Sequence, residues 1–97
     1  MGKHLTPLQV CERLIGPVPM LGSVCGLGEK AAYLWARGSK GRDAGDIPGS
    51  PNLRALLAHS AAHNLGLTAD HLIWGAAEEE VAAILAARDG QRLEAAE

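Results

Sequence analysis

Residues 21–35 read LGSVCGLGEKAAYLW, and the spacing of small and apolar residues in this stretch decides the fold. Leu21, Cys25, Leu27, Ala32 and Trp35 recur so that two short helices can turn them inward while crossing around a three-residue turn, Gly26-Leu27-Gly28. Gly22 and Gly26 stand where a larger side chain would obstruct the crossing or the turn. Gly28, Glu29, Lys30, Tyr33, Leu34 and Arg37 are left pointing outward. The pattern is a helix-turn-helix whose second member spans about 28–37.

The flanks supply the rest of an all-α domain. Upstream, Thr6-Pro7-Leu8-Gln9 is a helix start, with Thr as N-cap, Pro at the first helical position and Gln closing a capping box. Leu8, Val10, Cys11, Leu14 and Ile15 form its apolar face, and Gly16-Pro17 ends it. Residues 1–5 read as a frayed end. A second helix runs from about Pro17–Pro19 to Cys25.

Downstream, residues 38–46 are glycine-rich and polar and read as a loop, closed by Ile47-Pro48 with Ile47 in the core. Ser50-Pro51 repeats the cap-then-proline signal. The helix it opens extends to about Asn64, with Leu53, Leu56, Leu57, Ala61 and Asn64 on one face. Gly66 is a stop. Thr68-Ala69-Asp70 starts a short fifth helix, with Leu72, Ile73 and Trp74 expected inside and Gly75 as its end. A last helix covers about 77–88. Glu78, Glu79 and Glu80 lie in its first turn, where the helix dipole favours negative charge. Val81, Ile84 and Leu85 form a narrow apolar stripe, too short for an isolated helix. That helix must pack on the body, pair with a second copy or bind another protein, and residues 91–97 are expected to be disordered. No strand-like alternation or internal repeat is present.

Ninety-seven residues, 47% of them hydrophobic, fit one domain with a small core. With two Trp, one Tyr and no Phe, that core must be aliphatic. No run approaches the ~18 apolar residues of a membrane span, and MGKHLTPLQV lacks the apolar segment of a signal peptide, so the expected compartment is the cytoplasm. Cys11 and Cys25 fall on apolar helix positions and read as reduced core thiols. A disulfide or redox switch is the alternative.

The net charge is −2, unevenly spread. Residues 1–76 carry seven Lys or Arg against five Asp or Glu, whereas residues 77–97 carry two against six. Residues 28–42 hold Lys30, Arg37, Lys40 and Arg42 against Glu29 alone. The positive charge is therefore concentrated around the second helix of the motif and the loop after it, as a phosphate-contacting patch requires.

With those residues in hand, the chain resembles the phage Cro and repressor type of helix-turn-helix, closest in flavour to small YdaS-like regulators. These often read Gly-Val-Ser-x-x-x-Val-x-x-Trp, then a few basic residues, then Ile-Pro. Here Leu27 takes the first Val place, Gly28 the Ser place, Ala32 the second Val place, and Trp35 and Ile47-Pro48 match. The resemblance covers roughly residues 6–75. It implies a lambda-repressor-like DNA-binding domain of about five short helices over 6–75, followed by an acidic C-terminal helix and tail over 76–97 for packing or dimerisation. It also implies a transcriptional regulator from a phage or mobile element, bound to double-stranded DNA at the bacterial nucleoid, often as a homodimer on a palindromic site.

On this reading Gly28, Glu29, Lys30, Tyr33, Leu34 and Arg37 face the major groove, and Lys40 and Arg42 face backbone phosphates. Glu29 could accept from a cytosine amino group and Lys30 donate to guanine. Gly28 and Glu29 depart from the polar Gln or Ser that the family often carries there. The alternative is a protein-interaction module on the same scaffold, binding another regulator or an RNA polymerase subunit. The net negative charge, Glu29, an exposed Leu34 and the acidic last helix motivate it.

No enzymatic constellation stands out, and no cofactor is expected. His59 and His63, spaced i, i+4, have the spacing of a metal-ligating pair but read as border residues of a packed helix. No metal site is assigned.

Overall fold

The computed structural model describes residues 3–96, with side chains through Gly90. The chain is mostly helical: α1 (Pro7–Leu14), α2 (Val18–Val24), a 3-10 helix (Ala31–Ala36), α3 (Ser50–His63), α4 (Ala69–Trp74) and α5 (Glu78–Ala96). One two-residue antiparallel pair, β1 (His4–Leu5) with β2 (Ala76–Ala77), joins the N-terminal segment to the start of α5. The segment expected to fray is thus held. Leu5 is fully buried, and the Glu78 amide donates to the Lys3 carbonyl at 2.8 Å. Met1 and Gly2 lie outside the described residues.

The α1 start is as the sequence indicates. Thr6 Oγ1 accepts from the Gln9 amide and Gln9 Oε1 accepts from the Thr6 amide. Leu8, Val10, Cys11 and Leu14 are buried, and α1 packs against α2, α4 and α5. Val81 of α5 is completely buried in the same core, with Ile84 and Leu85 packed beside it. Arg88 of α5 donates to the carbonyls of Leu14 and Leu65 at 2.9 and 3.3 Å, so α5 packs on the body of its own chain. Its backbone continues as helix through Ala96, beyond the end expected near Arg88. The expectation of disorder over 91–97 therefore does not hold for the backbone to Ala96, and Glu97 lies outside the described residues.

α3 departs from expectation at its N-cap and in its buried face. Its N-cap is Gly49, with Ser50 already helical, and Asn52 Nδ2 reaches back to the Pro48 carbonyl at 2.7 Å. Its C-terminus closes on Asn64 in the left-handed region (φ 54°). The Leu65 amide donates to the Ser60 carbonyl and the Asn64 amide to the Ala61 carbonyl, the paired bonds of a Schellman ending. The buried face is Leu56 and Ser60, flanked by half-buried Leu53 and Leu57, while Ala61 and Asn64 are exposed. Ser60 is tolerated inside because Oγ accepts from the Leu67 amide at 3.0 Å.

α4 corrects a second expectation. Thr68 caps it through a reciprocal pair with His71, whose Nδ1 accepts from the Thr68 amide at 3.0 Å. Nδ1 therefore holds a lone pair, and Nε2 carries the proton donated to Glu80 Oε2 at 2.9 Å. His71 and Leu72 are buried, but Ile73 is 59% and Trp74 72% exposed. Successive helical residues point about 100° apart. A six-residue helix lying on a core cannot bury Leu72, Ile73 and Trp74 together.

Candidate nucleic-acid interface

The stretch 21–35 forms a tight crossing, with a different second helix from the one expected. α2 ends in a complete Schellman motif: the Leu27 amide donates to the Gly22 carbonyl at 2.9 Å and the Gly26 amide to the Ser23 carbonyl at 3.0 Å, with Gly26 at φ 76°. The turn folds back over α2 so closely that a Cβ on Gly22 would lie 2.6 Å from the Gly28 carbonyl oxygen. Leu21 and Ala32 are fully buried and Trp35 nearly so. Cys25 is half-buried, and Leu27, expected inside, is 42% exposed because it lies in the turn rather than on either helix.

The second element is a six-residue 3-10 helix instead of an α-helix over 28–37. Two causes of its short span are visible. Gly28 offers no capping side chain, so regular structure begins only after the Ala31 amide bonds the Gly28 carbonyl. At the other end, the carbonyls an α-helical continuation would need are already occupied. Arg42 Nη2 donates to the Leu34 carbonyl, and Arg42 Nη1 and the Gly45 amide both donate to the Trp35 carbonyl.

A 3-10 helix repeats every three residues, which re-sorts its faces. Ala32 and Trp35 form the buried ridge. Lys30 and Tyr33 share a second ridge, and Leu34 and Arg37 a third. The i, i+3, i+7 alignment of Lys30, Tyr33 and Arg37 expected on an α-helix is therefore split across two adjacent ridges. Gly28, Glu29 and Lys30 are exposed, as are Tyr33, Leu34 (62%) and Arg37, where the backbone turns extended.

After Arg37 the chain makes a tight hairpin. Ser39 and Arg42 exchange backbone hydrogen bonds at 2.9 and 3.0 Å around Lys40-Gly41. This puts Lys40 at an exposed tip. Arg42 has the opposite fate. Its guanidinium also donates to the Asp46 carbonyl at 2.8 Å, so a phosphate contact through Arg42 would compete with bonds that hold the loop. The side chains of Lys30, Arg37 and Lys40 make no hydrogen bond or ion pair among the described residues.

Between this hairpin and α4 lies an open cleft of about 490 Å³ lined by Lys40, Arg42, Ile47, Pro48, Leu72 and Ile73. Ile73 and Trp74 were missed as surface residues. The signal available was the 100° step, which forbids a third inward residue on so short a helix. Elsewhere, Glu78 faces Arg13 at 3.5 Å and Glu80 faces His71 at 2.9 Å, so both have specific partners on the body. Burial, with Cys25 and Glu12 adding, pushes the Cys11 thiol up to about 12, and burial also raises Cys25, whose Sγ lies 3.7 Å from the Asn52 carbonyl. Both cysteines are free thiols.

No helix among the described residues is long and apolar enough to cross a membrane. The chain matches no family model, no curated protein and no solved structure.

Proposed function

We propose that this protein is a sequence-specific regulator of transcription, of phage or mobile-element type, that binds double-stranded DNA through the 3-10 helix and the hairpin after it. One observation carries the reading. Three cations, Lys30, Arg37 and Lys40, have no partner among the described residues and flank the exposed Tyr33 and Leu34 on the outer member of a tight helix crossing. A single helical element fits within a major groove about 12 Å wide, and six residues at about 2.0 Å rise give it roughly 12 Å of length to present there. Lys30, Arg37 and Lys40 then take phosphates, Tyr33 offers a hydroxyl to phosphate or base, and Leu34 meets a thymine methyl. Glu29 accepts from a cytosine amino group at the cost of some phosphate repulsion. Such a modest basic patch favours a dimer on two half-sites, with the protein in the bacterial cytoplasm and on the nucleoid.

Selecting bound duplexes from a random pool tests this. A recurring motif is expected, and Lys30→Ala with Arg37→Ala should abolish enrichment while the helical circular dichroism is retained. Undiminished enrichment by that variant sinks the assignment. A second reading, a module that docks another regulator or a polymerase subunit, is favoured by the exposure of Ile73 and Trp74. It predicts no enriched duplex, and loss of partner binding in Trp74→Ala.

A further inference from the structure

Outside the crossing, the last turns of α3 bring two imidazoles together. His59 and His63 sit one helical turn apart, with ring centroids 4.5 Å apart and planes tilted by 43°. Neither ring has a hydrogen-bond or ion-pair partner among the described residues. This contrasts with His71, whose two nitrogens are both engaged, and with His4, whose Nε2 lies 2.7 Å from the Trp74 carbonyl. The chain thus holds two histidines fixed by its own bonds and two left facing each other.

We propose that His59 and His63 chelate one divalent transition-metal ion of the zinc, nickel or copper type. Three physical arguments converge. Imidazoles at i and i+4 project from the same side of a helix, so no loop has to be ordered to bring both nitrogens to one ion. α3 is anchored by Leu56 and Ser60 in the core, which fixes the pair's backbone before metal arrives. The pair also lies at the C-terminal end of a fourteen-residue helix, where the helix dipole favours a cation.

No group of three or more His, Cys, Asp or Glu is placed to hold a metal among the described residues. The site is therefore a two-nitrogen chelate whose remaining positions go to water. Two neutral imidazoles with no carboxylate select borderline transition ions over the oxygen-seeking magnesium and calcium. Affinity follows the order in which copper exceeds nickel and zinc.

The test uses the full chain and copper(II) as probe, read by electron paramagnetic resonance, with nickel, zinc and magnesium compared by calorimetry. The expected result is one copper per chain with hyperfine structure from two nitrogens, weaker zinc and nickel binding, and none of magnesium. His59→Ala and His63→Ala should each remove one nitrogen and weaken binding, with circular dichroism unchanged. His4→Ala should leave the spectrum as it is. Absence of binding overturns the proposal, as does copper that stays on two nitrogens in the His59→Ala, His63→Ala double variant. The second outcome places the ion elsewhere, at the N-terminal amine or another histidine.

Discussion

Replacing Gly22 by Ala adds one methyl group at the closest approach in the crossing, and its effect follows from two opposing quantities. In a helix interior Ala is favoured over Gly by about 0.5–1 kcal/mol. Against this, the new Cβ would lie 2.6 Å from the Gly28 carbonyl oxygen, where ordinary contact begins at 3.4 Å. The obstacle is backbone, and it is held in place because the same carbonyl accepts the Ala31 amide at 3.1 Å. Relief therefore requires moving the turn and the start of the 3-10 helix together. Overpacking of this kind costs about 1–3 kcal/mol, and a rigid obstacle places it in the upper part of that range. The net is a destabilisation of about 1–2 kcal/mol, or roughly 4–16 °C in Tm for a domain of this size. Gly28→Ala is the matched control. Its Cβ meets nothing within 4 Å and its φ is not positive, so it should be neutral or stabilising by up to about 1 kcal/mol. Urea denaturation of both variants measures the difference. Gly22→Ala as stable as Gly28→Ala would refute the account of the crossing.

Three further outcomes are expected. Arg42→Ala removes one donor each from the carbonyls of Leu34, Trp35 and Asp46, of which Leu34 keeps the Arg37 amide and Trp35 the Gly45 amide, and should cost about 2–3 kcal/mol in urea denaturation. Arg42→Lys should recover only part of this, because an ammonium lacks the guanidinium fork; full recovery would show that charge alone matters. Trp35→Ala, at a residue only 4% exposed, should cost about 3–5 kcal/mol, whereas Trp74→Ala should stay within about 0.5 kcal/mol. Equal Tm losses would contradict the burial assigned to the two rings. For Cys11, the folded state keeps the thiol protonated up to about 12. Below the ordinary thiol range its ionisation has no effect on stability. As pH rises from that range toward 12 the unfolded chain ionises first, so stability falls. Cys11→Ala should remove that part of the alkaline decline, and an unchanged pH profile would count against it.

The crossing was legible in the sequence because glycines and apolar residues report directly on close approach. Gly22, Leu21, Ala32 and Trp35 do in the structure what their spacing indicates. The Thr6 cap and the helix start at Thr68 were legible because a hydroxyl before a helix can take its free amides, whereas the same signal at Ser50 misplaced the cap by one residue. The end of the helix over 28–37 was not legible, because it is decided by carbonyls claimed from a distance. Arg42 and the Gly45 amide lie seven to ten residues beyond the carbonyls they occupy, and local propensity carries no record of them. Arg42 illustrates the same limit from its own side. In sequence it belongs to a run of cations, and only the folded loop shows that it differs from Lys40. Trp74 failed in a different way, since apolar character was taken for burial on a helix too short to bury three consecutive residues. His71 and Glu80, nine positions apart, meet at 2.9 Å, a pairing between two helices that no local pattern records.

The most direct test of the proposed interface is a salt titration of duplex DNA binding, comparing the parent chain with the Lys30→Ala, Arg37→Ala, Lys40→Ala variant. Each phosphate contact contributes about 0.9 to the slope of log K against log salt. The parent should bind a random duplex at low salt with a slope of roughly −2 to −3, and the triple variant should lose most of that slope while keeping its helical circular dichroism. Absence of parent binding at low salt, or a slope unchanged in the variant, would contradict the assignment of this face to DNA.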